Sequence, residues 1–411
     1  MLNKIEGYAA FKDIEDRFNI IKKKTLPLCA AENLISPFVK LPLNGDFQER
    51  YIMNGVLDYE TDNNFIGSNF LFEIYGLINK QCAKLFDCNY ADARTLTGMN
   101  CITSLLMSIT KAGDKIMVSD SECGGHQSMK VVCKRLGLQI IDMPYDYNHF
   151  DMDYENVYSV LKKDDINFFL YAPSDIINPP DFDKLKLPSN TVLLYDASQT
   201  LGLIAGKQLD NPLNKIDNCI LFGGTHKTLP GPANGLIMTK NNEWAKLIDK
   251  TISPLYIRHT QMHQIVSLLY ALFEMEAFGE SYSKKTIDYA QRLSNELRMK
   301  NFDIPSINGV PTFTHQVFIR TNKIEMNDIY FNAFKYNVTL NKKNKQLFNN
   351  HGIRIGTQEI ARLNWDIDPI NLIADIIDSL RSHTKDTEEL LKKLTIPNDI
   401  LFTFKKEEAS H

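Results

Sequence analysis

Residues 191–240 read TVLLYDASQTLGLIAGKQLDNPLNKIDNCILFGGTHKTLPGPANGLIMTK. Three runs within this stretch, TVLLYDAS, NCILFGG and NGLIMTK, are almost continuously apolar and rich in Leu, Ile, Val and Phe. Runs of that length, bounded by Gly, Pro, Asn and Asp, predict strands buried on both faces rather than the alternation of a half-wetted sheet. Upstream, DKIMVSD, LQIIDMP and INFFLYAP repeat the pattern, and helical segments separate them. Such alternation predicts an α/β fold with a mostly parallel sheet and helices on both faces.

Around this centre the chain changes character. Residues 9–24 predict a helix, with Phe11, Ile14, Phe18 and Ile21 at helical spacing. An irregular Gly/Asn-rich stretch from about 26 to 67 is too long for an ordinary connection, which marks it as functional or docked. A helical pattern resumes at Phe70 (FLFEIYGLINKQCAKLF), and a long helical block runs from about 258 to 300. Beyond it, HQVFIRT, a helix near 325–337, GIRIG and a helix near 368–395 predict a smaller C-terminal α+β domain. The expected organisation is an N-terminal helical arm at 1–25, a large domain at 26–275 and a small domain at 276–411. The LNKKNKQ run near 340 reads as a solvated face or loop, and KKEEASH as a frayed tail.

Composition narrows the function. The 411 residues carry 46 Lys+Arg against 50 Asp+Glu, a net charge of −4 that excludes a polybasic nucleic-acid binder. With 44% hydrophobic residues the chain has enough apolar material for a sizeable core, which excludes a disordered tail protein. No apolar run reaches the ~18 residues of a membrane span, and the start MLNKIEGYAAFKDIEDRF carries acids where a secretory signal is apolar. Seven cysteines, odd in number and without a CxxC pair, fit neither a disulfide framework nor a zinc site. A cytoplasmic protein, free of membrane and nucleic acid, is expected. His259 and His263 in RHTQMHQ stand at i and i+4, but no third ligand accompanies them, so no metal is expected.

Four features carry chemistry. Lys227 lies in the Gly/Thr/Pro-rich loop after a strand, at the edge of the sheet where α/β folds bind ligands. Partial desolvation there makes a lysine a nucleophile toward carbonyls, whereas an isolated loop lysine is ordinarily just solvated. Asp196 ends the buried run TVLLYD, where a carboxylate can pair with a protonated ring nitrogen or simply cap a turn. Thr97 and Gly98 open a helical segment, which makes either a phosphate cradle or a plain cap. Arg354 sits between apolar residues in GIRIG, as a carboxylate clamp or a structural ion pair. Taken together, a phosphate cradle, a strand-end Asp, a reactive Lys and a carboxylate-binding Arg describe a pyridoxal-phosphate enzyme acting on an amino acid.

From about residue 26 to 395 the chain resembles the serine hydroxymethyltransferase family. THKTLPGPANGLI resembles the family's THKTLxGPRGG, CAAENLISP its IASENxxS, and DASQTLGLIAG its DxAHxxGLxAxG. ECGGHQS is similar to AHGGH, and GIRIGTQEIARLNW to GxRxGTxxxTxR. The resemblance implies the pyridoxal-phosphate fold-type I architecture, with Lys227 as the lysine that carries the cofactor and Asp196 as the partner of its ring nitrogen. Thr97, Gly98 and Met99 match the phosphate cup, Met99 standing where the family has a serine, and Ser174 matches the residue near the phenolic oxygen. Thr225 and His226 flank the lysine, and Arg354 matches the α-carboxylate clamp. Glu32 matches an acid/base group beside the substrate β-carbon. Tyr51 matches the tyrosine that reaches the neighbouring subunit's site, so a homodimer with shared active sites is implied.

The chain also departs from the family. Around ERYIMNGVLDYETDNNFIGS, Tyr51 is kept, Met53 replaces a glutamate, and Phe65 and Ile66 replace paired tyrosines; Glu60 offers a substitute acid where the longer loop refolds. Cys123 stands where the ring-stacking histidine is expected and leaves His126 as the motif's second histidine, while Gln199 and Ala233 replace a histidine and an arginine. The cofactor set is retained, and the folate and substrate side is altered. The expectation is therefore an enzyme that makes or breaks the Cα–Cβ bond of a β-hydroxy amino acid, aldolase- or transaldolase-like and independent of tetrahydrofolate. Its substrate is glycine, serine, threonine or another β-hydroxy amino acid. The alternatives are folate-dependent hydroxymethyl transfer, other pyridoxal-phosphate chemistry (transamination, decarboxylation, β/γ-substitution), and a non-catalytic binding protein on this fold.

Overall fold

A computed structural model describes residues 5–57, 67–381 and 387–405. All six expected apolar runs are strands: β2 (Lys115–Val118), β3 (Gln139–Asp142), β4 (Phe168–Tyr171), β5 (Val192–Asp196), β6 (Cys219–Gly224) and β7 (Gly235–Thr239). A seventh, β1 (Tyr90–Asp92), has only three residues and no apolar run to announce it. The sheet order is β1-β7-β6-β5-β4-β2-β3. Five neighbouring strands, β6 to β3, are parallel, and β7 is antiparallel to both β6 and β1. Every residue of β4, β5, β6 and β7 is buried, as near-continuous apolar runs require when helices cover both faces.

Helix α1 (Glu6–Lys24) leaves Phe11, Ile14, Phe18 and Ile21 exposed, an apolar stripe that none of the described residues covers. Helix α2 (Glu73–Phe86) follows the irregular stretch, and α3 (Gly98–Ile109) starts at Thr97. Helix α4 (Met262–Met299) is 38 residues long and packs against α2 on one side and α6 (Ile370–Arg381) on the other. The boundary expected at 275 falls inside this continuous helix.

The smaller unit is a three-stranded antiparallel sheet, β8 (Gln316–Arg320), β10 (Gly352–Gly356) and β9 (Asn341–Lys343), packed against α5 (Lys323–Lys335) and α4, with α6 laid on both helices. Strand β9 lies in the LNKKNKQ run expected as a solvated face or loop. Within the helix expected at 368–395, α6 and Thr387–Lys393 are helical, and residues 382–386 lie outside the described residues. Among the described residues no helix is long and apolar enough to cross a membrane. Of KKEEASH, all but Lys405 lies outside the described residues.

Candidate active site

Strand β6 delivers Lys227 to the carboxyl edge of the parallel strands, and the loop between β6 and β7 is held from within. Thr225 Oγ1 donates to the carbonyls of Pro232 (2.7 Å) and Asn234 (3.2 Å), and Gly231 N returns a bond to Thr225 O (2.9 Å). Asn33 Nδ2 donates to Lys227 O at 2.5 Å, which ties the 29–36 segment to the loop. Burial pulls the Lys227 ammonium below the usual lysine value; the charge of Asp196 opposes this and that of Arg354 adds to it. Thr225, expected as catalytic, does not line the cavity, and its hydroxyl is committed to loop closure.

A cavity of about 210 Å³ opens at Lys227, bounded by the start of α3, the end of β5 and the His126 turn. Asp196, the last residue of β5, lines it with a carboxylate set by Ser198, whose N and Oγ both donate to Oδ1 (2.8 and 2.5 Å). Ser198 Oγ also accepts from Gly224 N at 2.8 Å. Opposite stands the α3 N-terminus, where Thr97 Oγ1 accepts from Asn100 N at 3.0 Å. A Cβ on Gly98 would come within 2.8 Å of Ser198 Oγ and 2.9 Å of Gly224 N, so this approach of helix to strand requires glycine. Met99 lines the same wall. Free backbone N–H groups and the helix dipole make this end of the cavity suited to an anion.

Of the two ring-face candidates, His126 lines the cavity, with Nδ1 accepting from Ser128 N at 3.2 Å. Burial lowers its pKa, as it does that of His226, whose buried Nδ1 has no hydrogen-bond partner among the described residues. Cys123 Sγ instead donates to Asp120 O (3.1 Å), and burial pushes the thiol up to about 11. Gln199 Oε1 accepts from Gln316 Nε2 at 3.0 Å; the opposite amide orientation would trade that bond for one from Gln199 N to Ala30 O and turn the oxygen toward Lys227 Nζ, each at 3.1 Å. Ser198 and His315 were not singled out in the sequence. His315 is fully buried near Lys227 and Arg354, and burial, opposed by its bond to Ala30 O, drives it down to about 3, so it is neutral. A Ser two residues past a strand-end Asp was the available signal for the former; the latter sits unannounced in a strand-like run.

Arg354, on β10, reaches across the small sheet. Its Nη1 donates to Ser174 O (2.7 Å) and Asp175 Oδ1 (2.8 Å), and its Nη2 donates to Asn341 Oδ1 (2.7 Å), while the buried Nε has no partner among the described residues. Lys343 (2.7 Å) and Lys345 (2.7 Å) also pair with Asp175. The reading of 340–346 as a solvated face is thereby corrected. Asn341 faces Arg354 in the ladder, and the two-residue period of a strand carries Lys343 to the same side.

Glu32 is exposed on this chain, and its carbonyl accepts from Gln358 Nε2 at 2.6 Å. Beside it lies Glu359, which was not singled out; burial first, then the charge of Glu32, raises it to about 7. Tyr51 does not line the cavity and stacks on His259, with ring centroids 4.6 Å apart. Met53 is buried. Glu60, Phe65 and Ile66 lie outside the described residues.

Residues 9–377 match the family model described as Serine hydroxymethyltransferase. The chain belongs to the serine hydroxymethyltransferase family. It is 27% identical to a serine hydroxymethyltransferase of Archaeoglobus fulgidus over 96% of this chain and 94% of that one. With the serine hydroxymethyltransferase of Sulfolobus acidocaldarius it shares 26% identity over 90% of this chain and 88% of the relative. Its fold is that of the L-threonine transaldolase from Pseudomonas fluorescens in internal aldimine state, with a TM-score of 0.90 over 98% of this chain and 96% of that one at 19% identity. The architecture is pyridoxal-phosphate fold type I.

Proposed function

We propose that the protein is a pyridoxal-phosphate enzyme that makes or breaks the Cα–Cβ bond of a β-hydroxy amino acid, passing a glycyl unit between aldehydes without folate. The observation that carries this reading is the convergence of Lys227, Asp196, Gly98 and His126 on one cavity, with Arg354 fixed beside Ser174 at its rim. These residues fit the cofactor chemically: the α3 N-terminus and the orphaned His226 Nδ1 would hold the phosphate end, Asp196 the ring nitrogen, His126 the ring face, and Lys227 the aldehyde carbon. When bound, pyridoxal phosphate supplies an electron sink that stabilises negative charge at Cα.

The remaining work falls to side chains of this chain. Arg354, with Nε unclaimed and Nη2 bonded to Asn341 alone, offers an edge for bidentate binding of an α-carboxylate. Glu32, coupled to Glu359, takes the β-hydroxyl proton as the Cα–Cβ bond breaks. With threonine as donor, the bond's electron pair stays on Cα and acetaldehyde leaves. A second aldehyde then accepts that pair at its carbonyl carbon, and its oxygen takes the proton back from Glu32. The sum is threonine plus an aldehyde giving a new β-hydroxy amino acid plus acetaldehyde. Folate independence rests on the substitutions: a buried Met53 offers no acid, and Cys123 and Gln199 stand in for two histidines.

Two further assignments belong to this proposal. The exposed stripe of α1 and the position of Tyr51 at the surface fit a homodimer with shared sites. The second reading, folate-dependent hydroxymethyl transfer, is favoured by the two archaeal relatives, serine hydroxymethyltransferases that match over nine-tenths of the chain or more.

The deciding experiment is acetaldehyde release from threonine by the holoenzyme, with the visible absorbance recorded on adding glycine in the presence and absence of tetrahydrofolate. Release and an absorbance change indifferent to folate are expected, both lost in Lys227→Ala. A glycine response that grows sharply with folate would overturn the folate-independent reading. A wild-type protein without cofactor absorbance would overturn the whole.

A further inference from the structure

The rim of the cavity holds more positive charge than an amino acid's carboxylate needs. Arg354, Lys343 and Lys345 all point at Asp175, so three cations around one carboxylate leave two positive charges. The lysines are not surface groups: their side chains are 13% and 15% exposed, and Asp175 is fully buried. A surplus of this kind in a largely dry site is costly unless an anion offsets it. The group also belongs to the cavity rather than to the back of the fold. Asp175 follows Ser174, a lining residue, and Lys345 Nζ lies 3.4 Å from the carbonyl of Gly125, the residue before His126. The charge of Lys345 is felt at His126, and that of Arg354 at Lys227. Burial, reinforced by Arg354, lowers Lys343 to about 8, which leaves it charged at neutral pH.

One of the two charges is met by the donor's α-carboxylate on the open edge of Arg354. We propose that the other is met by the second substrate: the acceptor aldehyde carries its own anionic group, a carboxylate or a phosphate, seated on Lys343 and Lys345. This assignment rests on the glycyl-transfer reading and specifies its acceptor class. The strand period makes the arrangement specific, because Asn341 and Lys343 face the site while Lys342 turns away to lie over the Tyr330 ring, 4.6 Å from its centroid. A run of basic residues that merely solvated a loop would show no such sorting.

The test uses the holoenzyme and two readouts. In the first, threonine-dependent glycyl transfer is measured to succinic semialdehyde and glycolaldehyde phosphate, against the neutral butyraldehyde and glycolaldehyde. The anionic acceptors should be preferred, and whichever leads identifies the carboxylate or the phosphate as the natural group. Lys343→Met and Lys345→Met should each raise KM for the anionic acceptor roughly 10- to 100-fold, as expected for one lost charged hydrogen bond. Because both lysines share Asp175 with Arg354, the decisive quantity is the ratio of KM for the anionic acceptor to KM for its neutral counterpart, which should rise by about the same 10- to 100-fold while acetaldehyde release without acceptor persists. In the second readout, thermal melting is followed with succinate and with propionate. Succinate should raise the melting temperature more than propionate, and the difference should vanish in both variants.

Equal use of charged and neutral acceptors, with threonine still cleaved, would overturn this inference and leave the glycyl-transfer reading standing. Failure of threonine cleavage would overturn that reading instead, and the succinate–propionate difference would then judge the lysine site by itself. If either Met variant does not fold, the corresponding Gln variant, which keeps a donor but no charge, replaces it in both measurements.

Discussion

Arg354 Nη1 lies 2.8 Å from Asp175 Oδ1, so the residue proposed to clamp a carboxylate is itself oriented by one. Burial alone would raise the Asp175 carboxyl, but Arg354, Lys343 and Lys345 hold it far below the usual carboxylate range. Asp175 is thus an orienting anion whose removal strands three cations. Asp175→Asn should destabilise the fold by about 3–5 kcal/mol at neutral pH, because one partner of a buried ionic group is lost while the others stay. The sign with pH follows from the depressed value. The stabilisation is complete above the unfolded carboxyl pKa and is lost as pH falls through the lower folded one. Urea unfolding of wild type and variant should therefore diverge at pH 7 and converge in acid.

Gly98 packs where no side chain fits, against Ser198 Oγ and Gly224 N. Gly98→Ala should push α3 off the β6 edge and weaken cofactor retention by more than tenfold, as read from visible absorbance after dialysis. Ser198→Ala is the milder change. It removes two bonds, to Asp196 and from Gly224, and should cost about 1–3 kcal/mol in unfolding. The alanine variant should still hold the cofactor, with lower turnover because the carboxylate is no longer aimed.

Thr225 separates proximity to the lysine from participation. Its hydroxyl bonds two carbonyls of its own loop. Thr225→Val preserves the shape and takes the donor from the buried Pro232 carbonyl, while Asn234 O keeps the bond from Thr225 N, so about 1–3 kcal/mol of stability should be lost. Thr225→Ser should recover most of it. A valine variant as stable as wild type would contradict the loop-closing role.

Much of this was legible in the residues because burial on both faces writes an unbroken apolar run. That is how β2 to β7 announce themselves, and why Asp196 and Lys227 could be placed at the ends of β5 and β6. Three kinds of feature left no such mark. Strand β1, Tyr90–Asp92, is too short to carry a pattern. Strand β9 lies in a lysine-rich run whose solvated reading was the natural one, and only its pairing with β10 shows Lys343 turned inward onto Asp175. The Glu32–Glu359 and Arg354–Asp175 relationships join residues 327 and 179 positions apart, and nothing local in either segment speaks of the other. Motif order singled out Lys227, Asp196 and Gly98, whereas Asp175, Lys343 and Glu359 emerged only from the three-dimensional fold.

Glu359 gives the clearest pH signature. Burial, with the charge of Glu32 second, raises it from the ordinary 4.5 to about 7. The folded state therefore holds its proton more tightly than the unfolded chain does. Stability from this group is fully present below pH 4.5 and is lost as pH rises through 7, a range equivalent to about 3 kcal/mol at most. Glu359→Gln carries no such penalty. It should match wild type near pH 4 and become the more stable protein by pH 8, as measured by urea unfolding at each pH. Superimposable stability curves at pH 4 and pH 8 would show that Glu359 titrates normally and that the pair is not coupled.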